Sequence, residues 1–147
     1  MKNTYRESSF NELIEANRIY QYFTEKIDVP IQLMNKPVKE VCSEMDLNED
    51  LIVTLLRSYE DQCEFPYKEL KAFTVEEILS YLKLTHHFYL TKKLPEIEQS
   101  ILHIFDKYKN SHQLLVLLGI FLGDYKKKLE DHIRYEESEL FPYIRKL

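Results

Sequence analysis

Along most of the chain the apolar residues recur at steps of three and four, the period of an α-helix. Over residues 10–27 the positions Leu13, Ala16, Tyr20, Phe23 and Ile27 form one helical face. Ser9-x-x-Glu12 precedes them as a capping box, in which hydroxyl and carboxylate satisfy the free N–H groups of a helix start. The run ends at Asp28-Val29-Pro30, because a residue before proline is held out of the helical region. Residues 30–36 read as a loop. A short helix with Pro37 near its first turn then carries Val38, Val41, Cys42 and Met45 on its inner face. Asn48 is the N-cap of a third helix lined by Leu51, Ile52, Leu55, Leu56 and Tyr59. Residues 1–62 thus predict a small helical domain.

Residues 63–73, with Pro66, predict a linker, and Thr74-x-x-Glu77 is a second capping box. It opens a long helix with the stripe Leu79, Leu82, His86, Leu90, Leu94, Ile97, Ile101, Ile104 and Tyr108. Pro95 lies inside this helix and predicts a kink. After a turn at Asn110-Ser111, the last helix runs over 113–141 with the stripe Leu115, Leu118, Leu122, Tyr125, Leu129, His132 and Glu136. Residues 74–147 therefore form a long antiparallel hairpin, and the fold class is all-α. A lone hairpin of this length leaves much of its apolar surface wet, so more helices are expected against it. Gly119 and Gly123 sit inside the last helix, where each costs roughly 1 kcal/mol against Ala; close packing and a bend are the two readings.

Composition narrows the function classes. The chain has 147 residues with only 2 Gly and 5 Pro, which disfavours an all-β fold built on tight turns. Its net charge is -5 and no basic stripe collects on one face, so no nucleic-acid partner is expected. The two cysteines, Cys42 and Cys63, make neither a CxxC nor a disulfide framework. No signal peptide and no stretch of roughly 20 apolar residues is present, so the expectation is a reduced cytoplasmic protein with no membrane partner.

The chemistry concentrates at His132 and Glu136. Four residues apart, they share a helix face and continue the apolar stripe. An imidazole and a carboxylate on a buried face need a partner. Both are ligands for first-row metals, and inward-facing Glu and His on bundle helices build carboxylate di-iron sites. A simple hydrogen-bonded pair at a helix end is the alternative. On the other long helix His86 lies on the stripe, with His87 one position off it. His103 and His112 read as exposed, Glu137 and Glu139 as surface charges, and Cys42 as a small core residue. Cys63 has no clear role, and no dedicated nucleophile or acid–base pair is evident, which points to a metal-binding protein rather than a classical enzyme.

His132-Ile133-Arg134-Tyr135-Glu136-Glu137, followed by Leu140-Phe141-Pro142, resembles the hemerythrin-type H-x-x-x-E-E…L-F-P signature. Thr85-His86-His87-Phe88-Tyr89-Leu90 and Leu94-Pro95-Glu96-Ile97-Glu98 resemble the first metal helix of that family. The N-terminal part, with Ile27-Asp28 and Val38-Lys39-Glu40-Val41-Cys42, is similar to the small domain that precedes the hemerythrin domain in RIC proteins, the di-iron proteins of iron–sulfur cluster repair. The resemblance implies a non-haem di-iron protein that answers nitrosative or oxidative stress, with iron–sulfur proteins as partners. Its ligands would be His86, His132 and a bridging Glu136, while counting back from Pro95 in some relatives points to His87. Two features depart from the family. Val29-Pro30-Ile31-Gln32-Leu33 stands where many relatives carry Cys-Cys-Gly-Gly, and Tyr108 stands near a usual His. The family's bundle also has a second half with another His and another His-x-x-x-Glu. A homodimer of this chain would rebuild it. The other readings are a mononuclear zinc site of two His and one Glu, or a metal-free helical interaction module.

Overall fold

The computed structural model describes residues 4–60 and 65–147; Cys63 and the start of the expected linker lie outside the described residues. The fold is all-α, with a single isolated β-bridge between Ser9 and Pro37 and no strand among the described residues. The chain divides into two compact units, Met1–Leu84 and Thr85–Leu147. The division falls inside a helix rather than in the 63–73 segment.

The first unit contains α1 (Thr4–Glu7), α2 (Phe10–Ala16), α3 (Ile19–Lys26), a 3-10 turn at Ile31–Leu33, α4 (Val38–Glu44), α5 (Glu49–Glu60) and α6 (Tyr67–Leu70). The Ser9 capping box forms as the sequence predicts: the Ser9 hydroxyl accepts from the Glu12 N–H at 3.2 Å, and Glu12 accepts from the Ser9 N–H at 2.8 Å. The single helix expected over 10–27 does not form. Asn17 adopts an extended backbone, and its side-chain oxygen accepts the Ile19 N–H at 3.1 Å. This local hydrogen bond competes with the helical ladder and splits the run into α2 and α3. Helices α3 and α4 end alike, each followed by an aspartate in the left-handed region, Asp28 and Asp46, both at φ 54°. The Val29 and Leu47 N–H groups then reach back to the Thr24 and Cys42 carbonyls and close the helix ends. Proline alone is therefore not what stops α3.

Phe10, Phe23, Ile27, Val38, Ile52 and Leu56 form the innermost core of this unit. Leu70, Phe73, Tyr81 and Leu84 pack against that core, which is why the unit extends past the expected boundary at 62. Asn48 caps α5 by accepting the Leu51 N–H at 3.0 Å. Its amide also donates to Glu77 at 2.6 Å.

Helix α7 (Val75–Phe88) opens with the Thr74 capping box, in which Glu77 accepts the Thr74 N–H at 2.9 Å. The second unit holds the end of α7, a π-turn at Tyr89–Lys93, α8 (Leu94–Lys107), α9 (His112–Tyr135), a second π-turn at Glu136–Leu140 and α10 (Phe141–Lys146). Lys126 of α9 meets Glu98 of α8 at 2.7 Å, so the two helices form the expected antiparallel hairpin. The π-turns absorb Pro95 and Pro142. Leu94 donates to the Tyr89 carbonyl and Phe141 to the Glu136 carbonyl, five residues back in each case. The prolines that follow have no N–H to give to the carbonyl four back. A widened turn thus stands where the sequence predicts a kink.

The inner line of α9 also differs from the expected stripe. Ile133 is buried, and His132 is turned outward with its side chain 63% exposed. Steps of three and four in strict alternation follow a 3.5-residue period, whereas a straight helix turns every 3.6 residues. Over five turns from Leu115 the inner line therefore drifts from Tyr125 to Lys126 and from His132 to Ile133. The opposite faces of the hairpin leave Leu102, Leu114, Leu117, Ile120 and Phe121 exposed. A Cβ added at Gly119 would meet Phe105 at 3.8 Å, and one at Gly123 would meet nothing within 4 Å, so neither glycine is needed for close packing within the chain. No helix among the described residues is long and apolar enough to cross a membrane.

Glu77 gives the first unit a pH dependence. The Thr74 backbone N–H, and then the Asn48 amide, hold its carboxyl below the usual range. A carboxyl with a lower pKa folded than unfolded adds stability above its unfolded value of about 4.3, and loses it as pH falls through the folded value. Urea denaturation of Glu77→Gln between about pH 6 and pH 3 is expected to show a shallower loss of stability than the parent chain. Parallel acid limbs would refute this role.

Candidate metal centre

Three side chains that the sequence singles out meet across the hairpin. His86 lies in the last turn of α7, three residues before the π-turn, and is buried at 9% exposure. His132 is in the last turn of α9, and Glu136 begins the second π-turn. Phe141, the first residue of α10, lies nearly parallel to the His86 ring, with the planes 9° apart and the centroids at 5.7 Å.

The Glu136 carboxylate stands between the two imidazoles. Its Oε2 is 3.0 Å from His86 Nε2, and its Oε1 is 3.1 Å from His132 Nε2. A neutral imidazole carries one N–H and one lone pair, so each contact is either a hydrogen bond from the ring or a lone pair facing the carboxylate, where a cation would fit. Two ligands about 2.1 Å from one ion and at right angles stand roughly 3.0 Å apart. Both N–O pairs have that spacing. One oxygen faces each imidazole, so the carboxylate stands between the two rings. Among the described residues no group of three or more His, Cys, Asp or Glu side chains is gathered closely enough to hold a metal ion.

The remaining candidates fall away from this centre. The His87 side chain is exposed, and its backbone carbonyl accepts from the Thr91 hydroxyl at 2.7 Å. His103, His112, Glu139 and Tyr108 are exposed. Glu137 corrects the expectation of a plain surface charge. Its side chain is 41% exposed, yet Oε1 lies 2.9 Å from His86 Nδ1. Its partner lies 51 positions away, so no local pattern in the sequence signalled the contact. Beside it a cleft of about 440 Å³ opens between α8 and α9, bordered by Leu90, Glu98, Lys126, Ile133 and Glu137.

Cys42 belongs to the core of the first unit, as its place in the apolar pattern predicts. It is 1% exposed, and burial, with a smaller contribution from Glu49, pushes its thiol up to about 12. A thiol so buried is neither a nucleophile nor an accessible ligand near neutral pH. A Cys63→Ser variant should therefore fail to react with an aromatic disulfide reagent in native buffer and release one thiol per chain in denaturant. Rapid native reaction would show Cys42 to be open.

No family model, no curated protein and no solved structure matches this chain.

Proposed function

We propose that the chain is a non-haem iron-binding protein that acts in iron–sulfur cluster repair or in the response to nitrosative and oxidative stress. The observation that carries the metal reading is the Glu136 carboxylate, with one oxygen to the His86 imidazole and the other to that of His132. A carboxylate with one nitrogen per oxygen suits a bridged pair of ions, as in the Glu and His sites of helical bundles. A single zinc ion would draw both imidazoles and the carboxylate to one point. The repair role rests on the resemblance of the H-x-x-x-E-E…L-F-P block and of the segments around His86 to RIC proteins. In this reading His86 and His132 would each donate a nitrogen to the metal, Glu136 would be the bridging carboxylate, and His87 would not be a ligand. Bound iron would supply redox and exchange chemistry. The protein's part is to hold the ion between fixed side chains, in a reducing cytoplasm, and to meet iron–sulfur proteins.

The partner that best fits the open positions is a second copy of the chain. One protomer offers two nitrogens and one carboxylate for two ions, which leaves most of each coordination sphere to other ligands. Two-fold pairing would add the same three groups again and cover the apolar side chains exposed on the hairpin. A metal held between subunits would link metal binding to dimerisation.

Iron analysis of untagged protein loaded without oxygen tests the ligand set. His86→Ala, His132→Ala and Glu136→Ala should lose iron, while His87→Ala, His103→Ala and His112→Ala should retain it. Iron at parental stoichiometry in Glu136→Ala would remove the assignment, and zinc alone in the parent would favour the mononuclear reading. Light scattering with and without iron tests the pairing: the iron-loaded chain should be a dimer and Glu136→Ala mostly monomer. An iron-loaded monomer would end the shared site but not the iron reading.

A further inference from the structure

Glu137 is placed to do more than carry surface charge. Its contact to His86 spans 51 positions in sequence and crosses from the second π-turn to α7. On a helix consecutive side chains point about 100° apart. Here Glu136 takes the Nε2 edge at 3.0 Å and Glu137 the Nδ1 edge at 2.9 Å. Both residues lie in the widened turn that ends at Phe141, and Phe141 covers the ring face. His86 is thus held on two edges and one face.

We propose that Glu137 is a positioning residue: it takes the Nδ1–H of His86, fixes the ring, and leaves Nε2 as the nitrogen presented beside Glu136. This deepens the metal reading above and, where metal is concerned, rests on it. The chemistry follows from the imidazole itself. A neutral ring has one N–H, and the acceptor that binds it decides which nitrogen keeps a lone pair. Glu136 is already shared between His86 and His132, so the acceptor left for Nδ1 is Glu137. A carboxylate behind a ligating imidazole also makes that imidazole a stronger donor. Removing Glu137 leaves Glu136 as the carboxylate within reach of the ring, and the proton moves to Nε2, where it blocks the metal position.

The test uses the full chain labelled with ¹⁵N-histidine, free of metal, at a pH raised until the ring nitrogen signals no longer change with pH. In the parent, His86 should populate the Nδ1–H tautomer. Glu137→Ala should shift the population toward Nε2–H, and Glu137→Gln, whose amide oxygen still accepts, should restore it. Identical tautomer populations in the parent and Glu137→Ala would overturn the proposal. Iron(II) affinity measured against a competing chelator gives the second arm: Glu137→Ala should weaken binding about 10–100-fold at unchanged stoichiometry, with Glu137→Gln between. Unchanged affinity, or a stoichiometry reduced as in Glu136→Ala, would also overturn it, the latter because Glu137 would then be a ligand. A parent chain that takes up no iron would defeat the iron reading, while the tautomer comparison would still decide the role of Glu137 at His86. Since Glu137 is 41% exposed, helix content by circular dichroism should be unchanged in both variants.

Discussion

Burying an imidazole is the constraint around which the second unit is arranged. Among the described residues His86 is the only His, Lys, Arg, Asp or Glu side chain that is buried. Such a group must be met by hydrogen-bonding partners or a cation, because leaving it unpaired away from water costs several times the value of an ordinary contact. The chain meets it with two carboxylates from one turn of a facing helix and with an aromatic ring against its face. Those partners tie the end of α9 to the turn that carries His86, within the second unit.

The two π-turns are the backbone counterpart of that arrangement. Each ends at a residue followed by proline, Leu94-Pro95 and Phe141-Pro142. Each places a buried side chain, Leu94 or Phe141, just after the turn. A proline inside a helix removes one hydrogen bond and crowds the carbonyl four residues back. Here the loss is absorbed in a turn one residue wider, a feature that recurs at functional sites in other helices. The second turn opens with the two successive glutamates that meet two edges of one ring.

The first unit works on different terms. Its core is closed and apolar, its helix ends are capped by Ser9, Asn48 and Thr74, and Cys42 is sealed among hydrophobic neighbours. Tyr5 and Tyr20 add a polar seam, with their hydroxyls 3.1 Å apart and Tyr5 bonded to Glu60. Burial and then the Glu60 bond raise the Tyr5 hydroxyl above its ordinary range, so it serves as a fixed donor.

The sequence by itself determined the all-α class, the capping boxes at Ser9 and Thr74, the cap at Asn48, the buried place of Cys42, and His86, His132 and Glu136 as the residues to watch. These are local signals: a helical period, a cap three residues from its partner, a pair four apart on one face. Tertiary structure decided what those signals cannot carry. It split the first expected helix at Asn17, where a side chain competes with the ladder, and drew Tyr81 and Leu84 into the first unit through packing with distant residues. It also turned His132 outward in favour of Ile133, because a period read as 3.5 residues drifts off a helix of 3.6 within five turns. For Glu137 the contact with His86 was invisible as well, because no pattern of apolar residues announces a π-turn. Its partner lies 51 residues away, and only the folded hairpin brings the two within hydrogen-bonding reach.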